Sequence, residues 1–235
     1  MNPVLALVTD DNPVNQLIAQ EMLEELGCQV ILAAHGFEAV EKLKSHEFDI
    51  VFMDCMMPQL DGFAATRLIR ESAQFKDLPI IALTAYAMSS DRDRCLQAGM
   101  SDYLAKPILL NHLEMMLQKW VPRLRNKELP FKKTEPRDIL QDTKMQETFL
   151  HDCERLLKEL QGVHQKREAD ELMSLVHQLK STCTYFGFGS ISVKCRFVEY
   201  ALQTGTLNSS VDEKVEDVIV ELDNLIYEMK AKLVS

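Results

Sequence analysis

Asp10 and Asp11 directly follow an apolar run, Val4 to Val8 and Thr9, and Asp54 directly follows another, Ile50 to Met53. In a parallel sheet the carboxyl ends of the strands gather on one edge, which is where ligands bind, so three carboxylates would share one pocket. Two such charges about 4 Å apart repel by roughly 4 kcal/mol at an effective dielectric near 20, which makes the cluster costly without a cation. An all-oxygen donor set favours a hard cation, and Mg²⁺ suits a site that must also hold phosphoryl oxygens. Thr84 ends the run Ile80 to Leu83, and Lys106 ends the run Tyr103 to Ala105, with Pro107 after it. A hydroxyl and an ammonium on the same edge would hold the charged oxygens of a phosphoryl group. Taken singly, Thr84 reads as a helix cap, Lys106 as a solvated strand end and Asp10-Asp11 as a loop charge pair. Their joint position at strand ends outweighs those readings and predicts metal-assisted phosphoryl transfer.

The elements that must position these residues are short β-rich runs alternating with amphipathic helical stretches. A run at Val30 to Ala33 completes a set of five. Helical patterns follow at Pro13 to Leu26, with Asn12 as N-cap and Pro13 in the first position, and near 37–45, 62–71, 90–98 and 109–119. Five βα units over residues 1–120 predict an α/β domain, a five-stranded doubly wound parallel sheet. From 121 to 141 the pattern lapses among Pro122, Pro130 and Pro136, where six basic residues stand against three acidic ones. This segment reads as a solvated basic linker. Residues 142–235 show helical periodicity near 143–163, 169–185, 190–203 and 211–233. That half is expected to be an all-α four-helix bundle.

On the second helix of that half, Leu172, Leu175, Val176, Leu179, Cys183 and Phe186 form one apolar stripe. His177, Lys180, Ser181 and Thr184 fall on the opposite side, so His177 is expected to be exposed on a rigid helix. An exposed lone histidine usually carries no function. Lys180 three residues on can set an ammonium beside a phosphorylated imidazole, and the small Ser181 permits close approach. Off the stripe, Lys180→Ala is expected to cost little stability, within about 0.5 kcal/mol.

The stretches Val8-Thr9-Asp10-Asp11-Asn12, Met53-Asp54-Cys55-Met56-Met57-Pro58 with Asp61-Gly62, Leu83-Thr84-Ala85 and Tyr103-Leu104-Ala105-Lys106-Pro107 resemble the response-regulator receiver family. The resemblance covers residues 4 to about 120. It implies that Asp54 is the phosphoacceptor, that Asp11 and Asp54 bind Mg²⁺ directly with the Met56 carbonyl, and that Asp10 acts through water. It also implies that Tyr103 is an aromatic switch moving with Thr84, although a plain sheet-edge aromatic is the simpler role. The run His177-Gln178-Leu179-Lys180-Ser181-Thr182-Cys183-Thr184-Tyr185-Phe186-Gly187 is similar to the histidine phosphotransfer (HPt) family, a resemblance that implies His177 is a second phosphoacceptor. The family commonly has Gly where Ser181 stands and Ala where Phe188 stands. The phosphoacceptor helix of a histidine kinase fits less well. Gln178 follows the histidine where that family has an acidic residue, and no proline occurs after Pro136. With eight glycines and no Gly-rich ATP-binding pattern, the chain is not expected to use ATP itself.

Composition narrows the remaining classes. A net charge of −10 opposes a polyanionic backbone, which argues against nucleic acid as a partner and against a DNA-binding output. No apolar run of about 18 residues could span a bilayer, and no secretory signal opens the chain, so no membrane contact and a cytoplasmic setting are expected. The six cysteines, without a C-x-x-C pair, read as small buried hydrophobes. The order receiver then HPt, starting so close to the first strand, resembles the C-terminal part of a hybrid sensor kinase, with a histidine kinase upstream and a separate receiver downstream. The competing class is an interaction scaffold whose receiver docks partners without phosphate flow. A Mg²⁺-dependent phosphorylation test separates the two.

Overall fold

The computed structural model describes residues 3–84, 89–124, 143–166, 168–204 and 209–234. It divides into two compact units, Met1–Pro136 and Arg137–Ser235.

In the first unit β1 (Val4–Thr9), α1 (Pro13–Glu25), β2 (Cys28–Ala33), α2 (Gly36–Ser45), β3 (Ile50–Asp54), α3 (Gly62–Glu71), β4 (Ile80–Thr84), α4 (Ser89–Gln97), β5 (Asp102–Ala105) and α5 (Leu110–Trp120) alternate along the chain. The five strands pair in parallel in the order β2-β1-β3-β4-β5. Every residue of β3 and β4 is buried, as expected of central strands covered on both faces. Leu7, Val51, Met53 and Ile80 pack in one core with Leu43 of α2 and Ile69 of α3. At the start of α1, Asn12 caps the helix by accepting from the amides of Val14 at 2.8 Å and Asn15 at 3.3 Å, with Pro13 in the first turn as predicted.

The first unit runs past the expected domain end. Val121 is buried, Pro122–Leu124 form a 3₁₀ turn, and Arg123 pairs with Asp49 at 2.5 Å and donates to the Pro3 carbonyl at 2.9 Å. The expected linker therefore starts later than 121, because a basic residue read as solvated finds an acidic partner on the sheet unit. The rest of that segment, 125–141, lies outside the described residues.

The second unit comprises α6 (Thr143–Lys166), α7 (Ala169–Tyr185), α8 (Gly189–Gln203) and α9 (Ser209–Val234). Each helix packs on the next and α9 returns to α6, which closes a four-helix bundle. Phe149 of α6 stacks on Phe186 and Phe188 at centroid distances of 4.0 and 5.4 Å, which seals one end of the α6–α7 contact. All six cysteines are buried and free. Among the described residues, no helix is long and apolar enough to cross a membrane.

Candidate functional site

Parallel pairing brings Thr9 and Met53 side by side, and likewise Asp54 with Leu83 and Thr84 with Ala105. The residues just beyond, Asp10 and Lys106, thus meet Asp54 and Thr84 on one edge. Ligand oxygens of Asp10, Asp11 and Asp54 all lie within 4.8 Å of one another. Asp10 and Asp54 are buried and Asp11 is half-buried.

Lys106 sits between two of these carboxylates. Its Nζ donates a hydrogen bond to Asp10 Oδ2 at 2.8 Å and makes a charge contact with Asp54 Oδ2, also at 2.8 Å. Burial alone would lower the Lys106 pKa, but Asp10 and then Asp54 outweigh it and hold the ammonium well above its ordinary value. The other oxygen of Asp10 accepts from the Asn12 amide and the Asn15 side chain, both at 3.0 Å. Asp54 Oδ1 faces the Met56 amide at 3.4 Å. The Thr84 carbonyl accepts from the Lys106 amide at 2.7 Å, which ties the two strand ends together. Next to Asp54 the Cys55 thiol is hydrogen-bonded with Cys95 and buried, and both effects push its pKa far up, so it stays neutral and adds no competing anion. Tyr103 is half-buried on β5, opposite Ala82, and packs against the core.

Gly62 lets α3 approach this edge. A Cβ there would lie 2.1 Å from the Asp54 carbonyl oxygen and 3.1 Å from Cys55 Cα, while the Gly62 amide donates to the Cys55 carbonyl at 3.2 Å. Asp61 caps the same helix by accepting from the Ala64 amide at 2.6 Å.

In the second unit the expectation of an exposed His177 is overturned: its relative exposure is 4%. The polar side of α7 is an interface with α8. Thr184 Oγ1 lies 2.7 Å from Ser192 Oγ, and His177 Nδ1 lies 2.6 Å from Glu199 Oε1. Lys180, expected at the surface, is buried and ion-paired with the other oxygen of Glu199. Lys180→Ala would therefore strip a charge partner from a buried carboxylate, and the small stability cost expected from sequence does not hold.

Glu199, which pairs with both His177 and Lys180, is the residue of this cluster that the sequence reading missed. A carboxylate only accepts, so Nδ1 donates this hydrogen bond, and in the neutral form of the ring Nε2 is the unprotonated nitrogen. That atom is buried and has no hydrogen-bond partner among the described residues. Burial alone would raise the Glu199 pKa, but His177 and then Lys180 bring it from 4.5 down to about 2. A carboxyl depressed in the folded state contributes stability that is complete above its unfolded pKa and is lost as pH falls through the folded one. The bundle is thus expected to weaken between about pH 4.5 and pH 2. Thermal melts of the full chain and of Glu199→Gln check this. The gap between them should be wide near neutrality and close toward the acid end.

The first unit is a doubly wound parallel sheet with acidic residues and a lysine at its strand ends, and the second is a helical bundle with a buried histidine. Residues 6–118 match the response regulator receiver domain, and residues 144–232 match the Hpt domain. The chain belongs to these families, a receiver domain followed by an Hpt domain. Among its relatives, the signal transduction histidine-protein kinase BarA of Escherichia coli K12 is 31% identical over 248 residues, covering 94% of this chain and 26% of BarA. The sensor histidine kinase GacS of Pseudomonas protegens is 30% identical over 249 residues, covering 96% and 26% respectively. The chain thus spans about a quarter of the length of these kinases. Among solved structures, the receiver domain of sensor histidine kinase PA1611 from Pseudomonas aeruginosa PAO1, with a magnesium ion coordinated in its active-site cleft, is 46% identical. The match covers 52% of this chain and 99% of that one, with a TM-score of 0.49. The domain pair and the kinase relatives place the chain in two-component phosphorelay signalling.

Proposed function

We propose that the chain relays a phosphoryl group: Asp54 takes it from the phosphohistidine of an upstream histidine kinase, and exchange with His177 passes it to a separate downstream receiver. The order of domains and the kinase relatives support a place at the C-terminal part of a hybrid histidine kinase, working in the cytoplasm. The observation that carries the reading is the convergence of Asp10, Asp11, Asp54 and Lys106 on one strand edge. Three carboxylates and one ammonium leave two negative charges, which a divalent cation balances, and the all-oxygen donor set suits Mg²⁺. Asp11 and Asp54, with the Met56 carbonyl, would hold the ion, and Asp10 would act through water. When bound, the ion neutralises charge on the phosphoryl oxygens.

This chain's own residues supply the rest. Asp54 attacks as a carboxylate, Lys106 offsets the charge left on its carboxyl group, and Thr84 donates to a phosphoryl oxygen. Tyr103, on the strand next to Thr84, follows that residue as the switch. In the bundle Nε2 of His177 is the nucleophile, and Lys180 is close enough to share the Glu199 carboxylate with it. Because Nε2 is buried, whatever covers it must move aside during transfer.

The test is to incubate the chain with acetyl phosphate, with and without Mg²⁺, and to map the product by hydroxylamine and acid lability. Label at Asp54 only when Mg²⁺ is present supports the proposal, and no label under either condition favours a docking scaffold. A second expected outcome concerns the ion alone. Asp11→Ala should weaken Mg²⁺ binding at least about tenfold by titration calorimetry, since it removes one of two direct carboxylates. Unchanged affinity would move the metal elsewhere.

A further inference from the structure

We infer that Cys55 and Cys95 form a site of oxidative modification: hydrogen peroxide converts the two thiols into a disulfide, which pins α4 to the end of β3 and slows phosphorylation of Asp54. The modification stands apart from the proposed relay, and its effect on labelling rests on Asp54 being the acceptor.

The two sulfurs come from the residue after β3 and from α4, and they meet in a hydrogen bond inside the core that also holds Met53, Met57 and Met100. Both thiols are free, with exposures of 4% and 1%. Neither can be reached while α4 is seated. What seats that helix is slight. Along residues 92–97 Cys95 is the only buried side chain among those described, Leu96 is exposed, and Arg94 lies over the Phe63 ring at 4.8 Å. An element with so little buried surface opens locally at small cost, which brings Cys95 into water. Cys55 stays in place, because its amide donates to the Leu83 carbonyl at 3.0 Å and its carbonyl accepts from the Gly62 amide at 3.2 Å.

The two thiols supply the two electrons that the peroxide takes up. Cys95 gives its proton to water and its sulfur attacks one peroxide oxygen; the O–O bond breaks, and the hydroxide released recovers that proton, leaving a sulfenic acid. The Cys55 sulfur then attacks the Cys95 sulfur, the S–O bond breaks, and the hydroxide leaves as water with the Cys55 proton. Two thiols and one peroxide thus become one disulfide and two waters. In a reducing compartment such a bond is transient and signals rather than supports the fold. Its reach is local. α4 begins five residues after Thr84, the strand end that would donate to a phosphoryl oxygen, so a bond that fixes α4 to β3 also restrains Thr84.

In the test the full chain is treated with hydrogen peroxide, free thiols are blocked with a maleimide, and peptides are mapped without reduction. A peptide that links Cys55 to Cys95 and is released by dithiothreitol is the expected result. Both thiols still taking maleimide after unfolding, or each oxidised to a sulfinic acid without a link, overturns the inference. The same samples are then labelled with acetyl phosphate and Mg²⁺. The oxidised chain is expected to label at least about tenfold more slowly, part of the roughly hundredfold that an ångström of misplacement can cost. Dithiothreitol should restore the rate, and Cys95→Ala should label equally with and without peroxide. A linked chain that labels as fast as the reduced one overturns the effect on Asp54. If Cys95→Ala does not fold, restoration by dithiothreitol in the unsubstituted chain decides. If the reduced chain itself takes no label, the phosphorelay reading falls, and the effect on Asp54 with it, while the peptide map still decides the disulfide.

Discussion

Asp54→Ala is expected to remove acyl phosphate from the chain altogether, to less than about a hundredth of the unsubstituted level. Two other carboxylates stand within 4.8 Å, yet neither can replace it. Asp10 has both oxygens engaged, one by the Asn12 amide and the Asn15 side chain and the other by Lys106. Asp11 is on the same loop, one residue further from the strand. A donor held in line with Asp54 is misplaced for both, and a misplacement of about 1 Å can cost about a hundredfold. Folding should survive, because the substitution leaves Lys106 with Asp10 and removes a repulsive charge. Intact-mass measurement with hydroxylamine treatment checks both parts. Label of undiminished amount on Asp10 or Asp11 would overturn the assignment.

The second large effect is on stability. Gly62→Ala places a methyl 2.1 Å from the Asp54 carbonyl oxygen, 3.0 Å from its carbon and 3.1 Å from Cys55 Cα, all of them backbone atoms of a central strand end. No flexible side chain can yield, so α3 or the end of β3 must move. Overpacking of this kind costs about 3 kcal/mol, which lowers the melting temperature of a domain this size by roughly 10 °C or more. Since the displaced atoms belong to Asp54 itself, labelling should fall as well. Gly162 in α6 is the matched control. A Cβ there meets nothing within 4 Å, and an alanine should stabilise that helix by up to about 1 kcal/mol. Scanning calorimetry of both variants checks the contrast, and equal melting temperatures would show that α3 does not need the glycine.

The receiver half was legible because its signals are local. Strand runs bounded by Asp10, Asp54, Thr84 and Lys106 show which residues fall on the carboxyl edge, and the topology does the rest. Caps such as Asn12 and Asp61 lie within three residues of the amides they serve. The bundle was legible as four helices and illegible as a site. Periodicity on one helix identifies the face toward the common core, but it cannot tell that a neighbour packs against the flank. For that reason His177 and Lys180 were read as exposed when α8 covers that side of α7. A signal did exist. Glu199 is a lone carboxylate among the buried positions of α8, next to Val198 and four residues after Cys195. A charge within an apolar stripe demands a partner on a neighbouring helix. The tether was misread at its start for a similar reason, since the partner of Arg123 is Asp49, 74 residues away in sequence.

The relay itself is tested most directly by following one phosphoryl group in time. The chain is labelled briefly with acetyl phosphate and Mg²⁺, the donor is removed, and samples are split between hydroxylamine, which cleaves the acyl phosphate, and mild acid, which cleaves the phosphoramidate. The expected record is early label on Asp54, followed by label on His177 that grows as the first declines, with the second phase missing from His177→Gln. If label on Asp54 decays at the same rate in both chains and none reaches His177, the two domains do not exchange a phosphoryl group and the account is wrong.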